Sequence, residues 1–210
     1  MHVKGFLPYF YVASPRGFMT NDCGPLKDYL NRLDSGGIVR AIDIQEKRSL
    51  WGYKGDDWVP FLRITLADQR SLPKIRGIFE RGECHFNALF KADGVATFES
   101  NIAYTLRFMI DTKVVGMNWI EVPKGKYTIL NEGKRSHCQL EIEVRWDQFI
   151  SHPPEGAWQK VAPLRILSFD IECAGRKGIF PEASVDPVIQ IANMVTRQGE
   201  QFAMMCCIFS

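Results

Sequence analysis

The sequence lacks most of what marks the specialised classes of protein. No apolar run approaches the roughly 20 residues that a helical membrane span requires, so no membrane partner is expected. There is no Asn-x-Ser/Thr glycosylation site. The six cysteines, at 23, 84, 138, 173, 206 and 207, include no Cys-x-x-Cys pair, and no histidine stands at finger-like spacing, which argues against structural zinc. No signal peptide is visible, since Met1-His2-Val3-Lys4 runs straight into an aromatic, β-prone segment. These absences together predict a reducing, soluble compartment, cytosol or nucleus. Repeats and low-complexity tracts are missing as well. The net charge is only +2, with 22 basic and 19 acidic side chains over residues 1–162 and 4 and 5 over 163–210. Bulk charge therefore reveals no nucleic-acid surface.

What is present is the ordinary balance of a globular protein, 46% apolar and 24% charged over 210 residues. VKGFLPYFYV (3–12) reads as a strand, with Pro8 at an edge or bulge. PLKDYLNRL (25–33) carries leucines at helical spacing between Pro25 and Gly36-Gly37. GIVRAIDI (37–44) is expected to be a strand with Ile38, Arg40, Ile42 and Ile44 on one face. VPFLRITLA (59–67) is a strand after the turn-like YKGDDW (53–58), and LPKIRGIFERG (72–82) a short helix closed by glycine.

Over 99–111, Ile102, Leu106, Met109 and Ile110 form a helical stripe expected to face the core. GMNWIEV (116–122) is a strand candidate. CQLEIEVRW (138–146) alternates apolar and polar residues, the pattern of a half-buried antiparallel strand with Glu141 and Glu143 on the polar side. SHPPEGAW (151–158) breaks all periodicity and reads as a linker or domain-edge loop. RILSFDIE (165–172) and DPVIQIANMV (186–195) are strands, and two strands alone cannot bury both faces.

The apolar run RILSFDIEC carries two carboxylates, Asp170 and Glu172. Side chains two apart on a strand share a face, so both point one way with Ser168, while Leu167, Phe169 and Ile171 point the other. Like charges placed side by side repel and are costly to desolvate. A hard divalent cation removes both penalties, and two such ions about 3.5–4 Å apart form the usual clamp for phosphodiester cleavage. In that arrangement Asp170 bridges both ions and Glu172 holds one. The same tripeptide also suits a merely solvated strand face.

The longer string SHPPEGAWQKVAPLRILSFDIECAGRKGIFPEASVDPVIQIAN (151–193) resembles the entry to the 3′→5′ exonuclease domain of eukaryotic family-B replicative DNA polymerases. VKGFLPYFYV, FLRIT, ESNIAYTLRFMID and GMNWIEVPKGKY stand in the order of that family's N-terminal domain, so the resemblance covers residues 2 to about 200. It implies an α+β chain: a mixed α/β N-terminal domain (1–150), a linker (151–162), and the first strands of an incomplete RNase-H-like exonuclease domain (163–200) whose central strand presents the pair. It also implies that Asp170 and Glu172 are catalytic metal ligands of a Mg²⁺-dependent proofreading site. Arg176 and Lys177, in the following loop, are candidates for contact with DNA phosphate, a solvated loop charge being the other reading.

Through the family, DNA (template, primer and a single-stranded 3′ end), accessory subunits, a sliding clamp and a nuclear location are implied. The N-terminal domains of the family have oligonucleotide-binding-like and RNA-recognition-like parts, where Tyr9, Tyr11 or Trp58 are candidates to stack on single-stranded template. From about Gln201 the text QFAMMCCIFS departs from the family, where a more polar continuation is expected, and 201–210 reads as a divergent tail. The remaining exonuclease motifs and the polymerase palm are not found in the sequence. The 210-residue chain alone is therefore expected to be inactive, a truncated product or an incomplete piece. The alternatives are a non-catalytic single-strand-binding module and an unstable fragment.

Overall fold

The aromatic stretch expected as one strand over 3–12 is cut in two. A computed structural model of the chain, which describes residues 1–34, 36–50, 55 and 57–210, places β1 (His2–Lys4) and β2 (Tyr9–Ala13) in different sheets. The break falls at Gly5, whose φ of +81° is open to glycine at little cost. Both strands lie in the first of two compact units, Met1–Pro153; the second is Pro154–Ser210.

After β2 come α1 (Cys23–Asp34), β3 (Val39–Arg48), β4 (Trp58–Leu66), α2 (Leu72–Glu80) and β5 (Thr97–Phe98). The turn expected at YKGDDW falls largely outside the described residues. The strands form one antiparallel sheet in the order β3-β4-β2-β5, the βαββαβ order of a ferredoxin-like unit. Period-2 alternation sends Phe10, Val12, Leu62, Ile64 and Leu66 to one face, where they pack on Leu26 and Leu30 of α1 and Leu72, Ile75, Ile78 and Phe79 of α2. Asp68 opens the turn before α2 by accepting the Ser71 amide (3.0 Å). The alternation expected in β3 fails at its start. A bulge between Val39 and Ala41 shifts the register, so Val39 joins Ile42 in the core and Arg40 is exposed. The side-chain amide of Asn31 meets both backbone groups of Val39, at 2.8 and 3.0 Å, and satisfies what the bulge frees.

The next helix, α3 (Tyr104–Thr112), does not bury the expected stripe. Leu106 and Ile110 are 53% and 58% exposed, whereas Arg107 is 7% exposed. The inward row is Tyr104, Arg107, Phe108 and Asp111, one step around the helix at i, i+3, i+4 and i+7. Phe108 and Tyr104 pack on Phe6. Asp111 and Arg107 hydrogen-bond Tyr9, and Arg107 also pairs with Glu99. An internal polar cluster therefore decided which face turned in.

β6 (Trp119–Glu121) pairs with β9 (Ile150–His152), so Ser151 and His152 are strand rather than linker. β7 (Tyr127–Ile129) and β8 (Ile142–Arg145) form a small sheet with β1, in the order β1-β8-β7. β8 is much shorter than the strand expected over 138–146, and Leu140 is exposed. Glu141, expected on the polar side, is 2% exposed. It accepts bonds from His2 Nε2 (2.5 Å), the Arg135 and Ser136 amides and Ser136 Oγ (2.9 Å). Four donors hold loop 130–141 around one carboxylate and stop regular pairing there.

The second unit is a meander of β10 (Arg165–Cys173), β11 (Val188–Arg197) and β12 (Ala203–Phe209). β12 occupies most of the 201–210 segment set apart as a tail. It pairs with β11 throughout, Ile191 facing Phe209 and Met194 facing Cys206, so its apolar alternation is that of a strand. The two strands foreseen are thus three. β10, expected at the centre of its sheet, is an edge among the described residues, because β11 pairs with one side of it only. No helix of the described residues is long and apolar enough to cross a membrane.

Candidate metal centre

Strand β10 is regular from Arg165 to Glu172, and its ladder with β11 sets Asp170 opposite Ala192 and Glu172 opposite Gln190. The two carboxylates therefore share one face with Ser168, two residues apart and about 7 Å along the strand by its rise per residue. Leu167, Phe169 and Ile171 point to the other face, and all three are exposed. Among the described residues nothing packs over that face of the sheet, in keeping with strands too few to bury both faces.

Both carboxylates are exposed. Asp170 Oδ1 accepts the Ile171 amide at 2.9 Å, and among the described residues nothing donates to Glu172. The methyl group of Ala192 leaves space beside Asp170. Every donor these two residues offer is a hard oxygen, a set that suits Mg²⁺ or Mn²⁺ completed by water and phosphate, rather than zinc or copper. The residues fit as part of a site: among the described residues no group of three or more His, Cys, Asp or Glu could hold a metal ion by itself.

Past Glu172 the ladder slips, Cys173 pairing with Val188. The connection to β11 is closed by the Ala174 amide on the Pro187 carbonyl (2.9 Å). Within it, Arg176 does not stand free in solvent as a loop charge. Its Nε and Nη2 each reach Asp186 at 3.2 Å, and Nη2 reaches Glu182 at 2.9 Å. Lys177 is exposed. Sequence reasoning passed over Asp186, which is 5% exposed; its only signal was a carboxylate set directly before Pro187 and an apolar strand.

In the first unit, the aromatic candidates divide. Tyr11 is buried with its hydroxyl on Gln45, and Tyr9 donates to Asp111, its pKa pushed up by burial and by that bond. Trp58 is exposed, with the Arg48 guanidinium 5.2 Å from its ring. A cavity of about 290 Å³, whose lining includes Tyr11, Lys47, Arg48, Phe61, Phe98 and Glu99, opens at the end of the sheet face opposite the helices. The sequence held the residues but not their convergence, which needs β5 beside β2.

The same architecture occurs in a polymerase: the family B DNA polymerase from the hyperthermophilic archaeon Pyrobaculum calidifontis matches 97% of this chain with a TM-score of 0.58 and 26% identity, over 22% of its own length. The fold is thus one that occurs as part of a family B DNA polymerase. The chain belongs to the family described as DNA polymerase family B, exonuclease domain, whose model matches residues 95–209 and so includes β10, its two carboxylates and β12. It is 48% identical over its full length to the DNA polymerase delta catalytic subunit of Schizosaccharomyces pombe and 45% identical over 95% of its length to that of Bos taurus. The Drosophila melanogaster subunit is 43% identical over the whole chain. The chain spans 19 to 20% of the length of these curated relatives.

Proposed function

We propose that this chain is the N-terminal portion of a delta-type replicative DNA-directed DNA polymerase, and that Asp170 and Glu172 supply the first two metal ligands of its 3′→5′ proofreading exonuclease. The observation that carries the reading is the exposed pair on one face of β10, inside the segment matched by the exonuclease family. Bound Mg²⁺ supplies activation of water and neutralisation of the leaving oxygen. Asp170 and Glu172 would hold the metal, and β10 fixes the spacing between the two carboxylates. The substrate is a single-stranded DNA 3′ end, the site of action the nucleus, and accessory subunits and a sliding clamp complete the assembly. The 210 residues alone do not digest DNA, because two carboxylates without further ligands hold metal weakly and cannot orient a water.

The test is Mn²⁺ titration of the chain followed by paramagnetic broadening of backbone amides. Gln190 and Ala192, opposite the pair, broaden first, and Asp170→Ala/Glu172→Ala abolishes the effect. Broadening that persists in the double variant refutes the site. Mg²⁺-dependent digestion of a 3′-labelled oligonucleotide by the wild-type chain, lost in the same variant, refutes the inactivity.

A second reading concerns the first unit. Its cavity combines aromatic side chains with Lys47 and Arg48 beside exposed Trp58, the combination that holds single-stranded nucleic acid by stacking and by charge.

A further inference from the structure

The loop between the metal-bearing strand and its neighbour is built around a buried carboxylate. Asp186 accepts Arg176 Nε on Oδ1 and, on Oδ2, both Arg176 Nη2 and the Glu182 amide (2.8 Å). A buried carboxylate without such donors is strongly destabilising, so Arg176 cannot leave it for another partner without loss. The pair also lies at a particular place. Glu172 is the last residue of β10 in regular register, Ile189 of β11 is the extra residue before Cys173 meets Val188, and Ala174 closes on Pro187, which is adjacent to Asp186. Arg176 is two residues beyond that closure. The guanidinium and carboxylate thus bridge the two strands immediately past the irregular step. A bulge twists the strand pair locally, and twist at this point, directly past the Glu172–Gln190 pair, rotates the side chain of Glu172 relative to Asp170. Carboxylates that share an ion tolerate only about 0.5 Å of such drift.

We infer that Arg176, with Asp186, is a positioning residue for Glu172: it locks the bulge so that both carboxylates of β10 face one ion, and it is not a contact for DNA phosphate. This rests on the proposed metal site. The role requires the planar fork of arginine, which meets both oxygens of Asp186 while reaching Glu182; an ammonium group cannot do so.

The experiment is the same Mn²⁺ titration on the full chain, with oligonucleotide affinity measured in parallel. Arg176→Lys, at unchanged charge, is expected to raise the apparent Mn²⁺ Kd on the order of tenfold while the amide signals of β10 to β12 persist. Arg176→Met is expected to weaken Mn²⁺ as well, although removing a positive charge near a cation site would tighten binding on electrostatic grounds alone. Glu182→Gln, which touches one of the contacts and leaves no buried charge, gives a rise of a few-fold. If Arg176→Met unfolds the sheet, Arg176→Lys and Glu182→Gln decide. Mn²⁺ midpoints within twofold of wild type in both overturn the inference. So does a loss of oligonucleotide affinity in Arg176→Lys with the Mn²⁺ midpoint unchanged, which would make Arg176 a phosphate contact. Absence of broadening at Gln190 and Ala192 in the wild type is a different result: it removes the metal site itself.

Discussion

Replacing Gly82 by alanine should cost the first unit far more than the same change at Gly17, although both residues have positive φ, +70° and +87°. Gly82 follows α2 and lets the chain turn back under the segment that leads into β5. A Cβ added there would lie 2.1 Å from the Ala92 carbonyl oxygen and 2.6 Å from its carbon, and Gly94 makes the reciprocal approach to Glu80. At Gly17 a Cβ meets nothing within 4 Å. The left-handed conformation alone costs alanine about 1–2 kcal/mol. The backbone collision at Gly82 adds an overpacking cost of about 1–3 kcal/mol, because no flexible side-chain end is available to move aside. Gly82→Ala therefore loses about 3–4 kcal/mol, and Gly17→Ala about 1 kcal/mol.

In a unit of 153 residues each kcal/mol shifts Tm by roughly 2–4 °C, which predicts a drop of about 10 °C against about 3 °C. Thermal melting followed through the methyl signals of Leu62 and Ile64, buried in that unit's core, measures it. Because the crossing delivers β5 to the sheet edge, the Phe98 ring should also lose its packing on Phe61 (centroids 5.2 Å apart) in the Gly82 variant only. Equal losses in the two variants would show that the close approach does not exist and that only the dihedral matters.

The carboxyl of Glu141 is held down to about 2, first by the His2 ring and then by the Arg135 and Ser136 donors. Its folded value lies below the ordinary 4.5, so its stabilisation is complete above pH 4.5 and fades as pH falls toward 2. Glu141→Gln should flatten the stability–pH slope over that window in acid titrations of urea midpoints, and an unchanged slope would count against the buried geometry. Trp58→Ala should raise the Kd for single-stranded oligonucleotide about tenfold, the loss of one stacked base, without changing the slope of log Kd against log salt. Unchanged affinity in fluorescence anisotropy at low salt would remove the first unit's nucleic-acid reading.

Much of the first unit was legible because its periodicity coincides with burial. α1, β4 and α2 lie within two residues of their expected limits, since leucines at helical spacing and alternation on β4 each had a single core to face. The errors share a physical origin. Periodicity records which side chains lie on one side, but not what covers that side. On α3 an arginine and an aspartate formed a partnered cluster with Tyr9 of β2, and the helix turned one step from its apolar stripe. On 138–146, Glu141 drew three donors from a loop and one from His2 of β1, and ended the pairing. The strand at 203–209 was read as a tail because its partner lies across a turn, a relation that composition does not contain.

The candidate site was legible for the opposite reason, and four carboxylates divide by what surrounds them. Glu141 and Asp186 are nearly inaccessible, and the protein supplies each with three or more donors. Their lone pairs are consumed, so they organise loops. Asp170 and Glu172 sit on a strand whose own amides serve the ladder, and among the described residues one backbone amide is all that reaches them. A carboxylate with unspent lone pairs beside a like neighbour has two outlets, water or an external cation. The cation relieves the repulsion as well, so the second outlet is favoured wherever a hard ion is present. Sequence alone identifies the pair, because two charges in an apolar strand violate its pattern. It cannot separate Asp170 from Asp186, which differ only in what the folded chain brings to them. Arg176 is what the fold brings to Asp186, a pairing across ten residues of loop that composition and spacing do not contain.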